Sequence, residues 1–216
     1  MSQTSHYFIG IAGNIGVGKT TLTEIIADHF NWTPYYESVI DNPYLTDFYD
    51  NMSRWSFHLQ VYFLAKRFQS HHEIHHGGHS IVQDRTIYED VEIFAYNLHQ
   101  IGNMSDRDYR NYRELFKGMV PFLRKPDLLV YLQASTDTLI SRIRQRGRDY
   151  EKRISPEYLH QLNIAYERWI KTISSEVPVH IVNADKFDMH TDRAQLDALL
   201  DTIAGYCSPD LRASDL

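Results

Sequence analysis

Lys19 and Thr20 close the stretch Gly13-Asn14-Ile15-Gly16-Val17-Gly18-Lys19-Thr20, which satisfies G-x-x-x-x-G-K-[ST] at every fixed position. That pattern carries phosphate chemistry. Its glycines let backbone N–H groups turn inward onto an anion, the lysine adds a point charge at the terminal phosphates, and the hydroxyl is a ligand for Mg²⁺. Residues 13–20, with Thr21 directly after them, are the candidate holders of a nucleotide phosphate chain.

Two carboxylates are placed to act on such a ligand. Glu37 ends the run Thr33-Pro34-Tyr35-Tyr36-Glu37; strand ends of this kind face the ligand crevice, so it is a candidate base, against the plainer reading of a solvated strand end. Asp84 ends Ser80-Ile81-Val82-Gln83-Asp84 and precedes Arg85. A Mg²⁺ at the phosphates needs a carboxylate there, whereas the competing role is to cap the following helix. Gln60 and Arg67 lie seven apart and share a helix face. A glutamine amide can read a base edge, although an amphipathic core helix explains the same spacing. Asp90 and Phe94 share a face at i, i+4. Arg142, Arg146 and Arg148, around Gly147, can close over a triphosphate or merely coat a solvated helix. His72-Glu73-Ile74-His75-His76 fits the zinc pattern H-E-x-x-H, but it sits in a histidine-rich run ended by Gly77-Gly78, in a chain of 12 histidines. It is read as a solvated helix end.

Positioning these residues takes strands at 7–12, 33–37, 80–85, 128–132 and 177–183, and helices at 21–30, 54–76, 87–100, 109–120, from 135, at 157–174 and at 191–204, as apolar periodicity and capping signals require. Asp41-Asn42-Pro43 reads as a turn. Strands alternating with helices after a phosphate loop imply an α/β three-layer sandwich of the P-loop NTPase type, a five-stranded parallel sheet flanked by helices. Residues 1–206 read as a single domain and 207–216 as a mobile tail. Asn183-Ala184-Asp185-Lys186 has the wrong order for a guanine-reading N-K-x-D.

Composition narrows the class. The chain has 216 residues, 43% of them hydrophobic, enough for a sizeable core. A net charge of -6 argues against undirected nucleic-acid binding. One cysteine, Cys207, excludes an internal disulfide framework and fits a reducing compartment. With no signal segment and no membrane-length apolar run, the expectation is a cytoplasmic protein.

With these motifs in this order, the chain resembles the deoxynucleoside kinases, the family of deoxycytidine, deoxyguanosine and bacterial deoxyadenosine kinases. It is most similar to the bacterial deoxyadenosine kinase branch, through Asp41-Asn42-Pro43-Tyr44-Leu45, Arg54-Trp55-Ser56-Phe57-His58-Leu59-Gln60 and Gln83-Asp84-Arg85-Thr86-Ile87-Tyr88-Glu89-Asp90. The resemblance implies ATP as phosphate donor, Mg²⁺, and a deoxynucleoside acceptor, deoxyadenosine before deoxyguanosine or deoxycytidine. It implies Glu37 as general base at the 5′-hydroxyl, with Arg85 beside it to hold geometry and touch phosphate, and Asp84 near the metal. Gln60, Arg67 and Asp90 would recognise the base, Phe94 would stack on it and Leu45 would pack against the nucleoside. Tyr49 and Glu151 would hold the sugar 3′-hydroxyl. Arg142, Arg146 and Arg148 fall on an arginine-rich lid, and the loop at Asp185 falls where the family contacts the adenine of ATP. A homodimer and inhibition by the end-product triphosphate are further implications. Ser38 and Asn42 depart from the animal members' Glu-Pro and tryptophan, so their pyrimidine-site packing does not carry over. Two other readings share the phosphate loop: a nucleoside monophosphate kinase of the thymidylate kinase type, and a non-catalytic ATP-binding regulatory module.

Overall fold

Five short apolar runs form one parallel sheet: β1 (Phe8–Gly13), β2 (Thr33–Tyr35), β3 (Ile81–Asp84), β4 (Leu128–Gln133) and β5 (Val179–Asn183), in the order β2-β3-β1-β4-β5. The computed structural model describes residues 6–37, 42–76 and 78–207, without the side chains of His72, His75 and His76. Ser38, Asp41, Gly77 and the tail from residue 208 onward lie outside the described residues.

Alternation along the strands divides their side chains between two cores, as a sheet covered on both faces requires. Ile9, Ile11, Leu128, Val130 and Leu132 pack with α1 (Lys19–Phe30), α7 (Thr136–Arg146) and α9 (Arg193–Tyr206). Ala12, Leu129 and Tyr131 point the other way, into a core built with α3 (Met52–His76), α6 (Asp106–Met119) and most of α8 (Pro156–Ile173). The expected three layers are therefore present. The β1 strand sits at the centre, so the phosphate loop after it and the residues after β3 emerge side by side at the carboxyl edge of the sheet. Among the described residues, no helix is long and apolar enough to cross a membrane.

Three local differences bear on the site. A short helix, α2 (Leu45–Asp50), precedes α3 and has no counterpart in the expected elements. The continuous helix expected at 87–100 is split into α4 (Ile87–Glu89), a π-helical turn (Asp90–Ala95) and α5 (Tyr96–Gln100). Such turns widen the backbone locally and recur at functional sites. The cap of α4 is Thr86 and not Asp84: Thr86 and Glu89 form a reciprocal capping box. The reason lies at Arg85, whose φ of 68° turns the chain before the helix begins.

Candidate active site

At the end of β1 the backbone must turn against β4. Gly13 does so at φ 147°, where a Cβ would lie 2.7 Å from the Leu132 carbonyl oxygen. Gly18, at φ 108°, is the left-handed cap of α1. Lys19 then folds back inside the loop, its Nζ donating to the Asn14 carbonyl at 3.1 Å. Burial lowers its pKa to about 8, with Arg85 adding to the effect and Asp84, Glu37 and Glu89 opposing it. The Asn14 side chain staples the loop to α8, donating to the Leu159 carbonyl (2.9 Å) and Asn163 Oδ1 (2.7 Å).

Thr20 Oγ1 donates to Asp84 Oδ2 at 2.6 Å, while Asp84 Oδ1 is buried with no hydrogen-bond partner among the described residues. A hydroxyl and a carboxylate with one unsatisfied oxygen make an oxygen-only set, the chemistry that suits Mg²⁺ held jointly with phosphates. No cluster of three or more His, Cys, Asp or Glu fit for a metal occurs among the described residues. Of the H-E-x-x-H stretch, Ile74 packs with Phe8 and Ile81, and Glu73 is exposed. The stretch's three histidine side chains lie outside the described residues.

Facing the loop is a network of buried charge. Arg85 holds its left-handed conformation, rare for a large side chain, while its N–H donates to the Ile11 carbonyl at 3.0 Å. Its guanidinium sets Nε 2.8 Å from Glu37 Oε1, as an ion-pair contact without hydrogen-bond alignment, and stacks 4.4 Å from the centre of the Phe94 ring. Arg67, from α3, donates from Nε to Asp90 Oδ2 at 2.6 Å and from Nη2 to Glu37 Oε1 at 2.8 Å. Both arginine contacts on Glu37 fall on Oε1, so neither occupies Oε2. Burial acts to raise the Glu37 carboxyl, but Arg85, Arg67 and Lys19 outweigh it and hold the group at about 2. Asp90 goes the other way: burial lifts it to about 6 against the pull of Arg67. Gln60 is also buried, with its Oε1 unpartnered among the described residues, an acceptor still to be satisfied.

The arginines of α7 are spread out. Arg142 spans backbone carbonyls, donating to Val17 O (2.6 Å) and Ala184 O (2.8 Å). Arg146 grips the buried Glu151 with Nε at 3.0 Å and Nη2 at 2.5 Å, and Arg148 lies 3.6 Å from the same carboxylate. Tyr49 stacks on Tyr150 next to this group. Asp185 spends its carboxylate on Ser135, the cap of α7, accepting from its N–H at 2.9 Å and its hydroxyl at 3.0 Å.

A cleft of about 930 Å³ runs between these groups. Every residue expected at the site from sequence lines it except Gly13, Asn14, Val17 and Arg67. Gly13 and Val17 are interior to the loop, Asn14 is stapled to α8, and Arg67 works from behind Asp90 and Glu37. The cleft also has apolar walls that sequence reasoning did not single out, among them Phe48, Leu59, Phe63 and Tyr158. Their only local signal is that of a core residue. Glu89, just outside the cleft, was not singled out either, although the T-x-x-E capping pattern from Thr86 is a local signal that could have found it.

One end of the cleft suits a phosphate chain and a divalent cation; the other offers a carboxylate and an unsatisfied amide beneath an aromatic wall. Those two ends make this a phosphotransferase of the P-loop class whose acceptor is a small molecule with a hydrogen-bonding ring. The chain belongs to the deoxynucleoside kinase family, whose sequence pattern matches residues 9–208. It is 41% identical over 198 residues to a deoxyadenosine/deoxycytidine kinase of Bacillus subtilis, covering 91% of each chain. It is 44% identical over 179 residues to a deoxyadenosine kinase of Dictyostelium discoideum, covering 83% of this chain and 73% of the relative. The solved structure of a deoxyadenosine kinase from M. mycoides with bound dATP superposes with a TM-score of 0.80 at 30% identity, over 90% of this chain and 99% of that one. The protein is an enzyme, a kinase that phosphorylates deoxynucleosides from a nucleotide donor.

Proposed function

We propose that the enzyme moves the γ-phosphoryl group of ATP to the 5′-hydroxyl of deoxyadenosine, a salvage step, with deoxyguanosine and deoxycytidine as slower acceptors. The observation that carries this reading is the Arg67 bridge: one guanidinium joins Asp90, which lines the cleft together with the base-reading Gln60, to Glu37, which lines it together with Lys19. Base recognition and the reacting end are held by the same side chain. Gln60 can accept from an exocyclic amino group and donate to the adjacent ring nitrogen, the edge adenine presents. The Dictyostelium discoideum relative, named a deoxyadenosine kinase, supports adenine first, and the Bacillus subtilis one, named for deoxyadenosine and deoxycytidine, keeps cytosine as a competitor.

In this mechanism Phe94 stacks on the base, Leu45 packs against the nucleoside, and Tyr49 and Glu151 hold the sugar. Residues of the loop 13–21 hold the triphosphate, and the loop at Asp185 meets the adenine of ATP. Thr20 and Asp84 would hold Mg²⁺, which when bound neutralises charge on the phosphates. Lys19, with Arg142, Arg146 and Arg148 as a lid, stabilises charge on the transferring group. A carboxylate as weakly basic as Glu37 does not deprotonate an alcohol in the ground state. It accepts the proton late, once a loose transition state has made the hydroxyl acidic. We read residues 1–206 as one catalytic domain, acting in the cytoplasm as a homodimer. The exposed Leu115, Val120 and Phe122, on α6 and just after it, suit burial against a second copy.

Glu37→Gln tests the chemistry. Its kcat is expected to fall about 10²–10⁴-fold while calorimetry shows deoxyadenosine binding within a few-fold of wild type. Near-normal turnover would remove Glu37 from the mechanism. Measuring kcat/KM for the four deoxynucleosides tests the base, and a thymidine preference would overturn the assignment.

A further inference from the structure

Behind the cleft, and lining none of it, Glu89 and Tyr166 are both fully buried. Tyr166 comes from the apolar stripe of α8, and its hydroxyl sits at the meeting point of three elements. It accepts from Arg85 Nη1 at 2.7 Å and lies 2.8 Å from both the Gly13 carbonyl oxygen and Glu89 Oε1. One phenolic proton serves those two acceptors, and the charged one makes the stronger bond. Glu89 Oε1 takes a further contact from the Gly13 N–H at 3.3 Å and lies 3.7 Å from Arg85 Nη1. Its other oxygen closes the capping box, accepting from the Thr86 N–H at 2.8 Å and the Thr86 hydroxyl at 3.3 Å.

Both backbone polar groups of Gly13, where the phosphate loop begins, are thereby tied to the arginine whose opposite edge meets Glu37. A buried, charged hydrogen-bond network of this kind holds its members in one arrangement, and losing one member leaves another unsatisfied. We propose that Glu89 and Tyr166 are positioning residues for phosphoryl transfer, forming a buried strut that fixes the distance between the donor loop at Gly13 and the acceptor-side Arg85. The strut touches neither substrate. It acts by setting where Arg85 stands when the phosphoryl group passes, so it bears on kcat and not on ground-state affinity. The inference rests on Arg85, which holds Glu37 from one side, also touching the transferring phosphoryl group, a role that belongs to the kinase reading above.

Steady-state kinetics with Mg²⁺-ATP and deoxyadenosine, alongside thermal melts, test it in four variants. Tyr166→Phe keeps the ring and removes one oxygen. Its kcat is expected to fall about tenfold, with both KM values within about threefold of wild type. Tenfold corresponds to about 1.4 kcal/mol in the barrier, the scale of one lost hydrogen bond to a charged group. Glu89→Gln keeps the shape and removes the charge, and is expected to shift kcat in the same direction; should it fail to fold, Tyr166→Phe decides alone. Tyr131→Phe is the control. That ring stacks on Tyr166, but its hydroxyl faces Glu167 at 3.4 Å, away from the strut, and kcat is expected to stay unchanged. Arg85→Lys separates the two ideas. If it is as active as wild type, the role given to Arg85 fails and the strut with it. If Arg85→Lys is impaired while folded Tyr166→Phe turns over normally, or loses only melting temperature, the strut alone is overturned.

Discussion

Two pairs of arginines serve this cleft and are built in opposite ways. Arg67 and Arg85, with side chains 5% and 2% exposed, rise from α3 and the end of β3 into interior carboxylates. Arg146 and Arg148, 34% and 39% exposed, stand at and just beyond the end of α7 and share Glu151. The acceptor side therefore carries its charges already desolvated and locked by packing, which is electrostatic preorganisation in structural form. On the donor side the arginines are half in water, where an ion pair contributes little and can be exchanged for another anion. A kinase needs both. The nucleoside must be held in one pose, whereas the triphosphate must enter and the product leave, with the covering side chains changing partners as it does.

Deleting an arginine from each set is the most direct way to break this contrast. Arg85→Met removes the cation that Glu37, Glu89 and Tyr166 all face. Breaking a buried pair in this way costs about 3–5 kcal/mol, and at about 2–4 °C per kcal/mol the melting temperature is expected to drop by roughly 10 °C. A folded Arg85→Met within a degree or two of wild type would show that the acceptor side is not held by its charges.

The same buried cation field can be read through acid stability. His71 lies one turn beyond Arg67 on α3, packs edge-on against Phe8, and has neither ring nitrogen partnered among the described residues. Burial, with Arg67 adding to it, lowers its pKa from 6.5 to about 4. Between those values the unfolded chain binds a proton that the folded one does not, so stability is lost as pH falls through this window, by roughly 3 kcal/mol in all. Asp90, raised to about 6, works in the opposite direction between about pH 4 and 6, and Glu37 acts only at lower pH. The comparison is therefore between wild type and His71→Leu: urea unfolding from pH 7 to pH 4 is expected to show the wild type losing about 3 kcal/mol more than the variant. Equal losses would mean that His71 is protonated in the folded state.

How much of this was legible in the sequence follows the same division. The phosphate loop, all five strands and the sheet they form are written in contiguous signals: a fixed motif, short apolar runs and caps such as Ser135 and Ser155, whose hydroxyls accept from Thr138 and Tyr158. Most cleft-lining residues came with them, because strand ends and helix faces are periodic properties. What stayed hidden has no local period. Asp84 could as well have capped α4, and only the positive φ of Arg85 hands that task to Thr86. The π-helical turn at Asp90–Ala95 changes hydrogen bonding but not the apolar pattern. Tyr166 reads as one more apolar-stripe residue until the chain brings Gly13, 153 positions away, to its hydroxyl.

The smallest expected effect on stability belongs to the arginines proposed as a lid, and it sharpens the contrast most. Arg148→Ala removes a side chain 3.6 Å from Glu151 that is 39% exposed, while Arg146 keeps its two-pronged grip on the same carboxylate. Screening by water holds the stability cost below about 1 kcal/mol, so the melting temperature is expected to move by less than about 3 °C. If Arg148 nevertheless leaves Glu151 for the triphosphate during turnover, kcat falls several-fold in a protein as stable as wild type. An arginine used for catalysis and not for folding is the signature of a side that moves. A melting loss comparable to that of Arg85→Met, with kcat intact, would instead make Arg148 a structural member and erase the distinction between the two halves of the cleft.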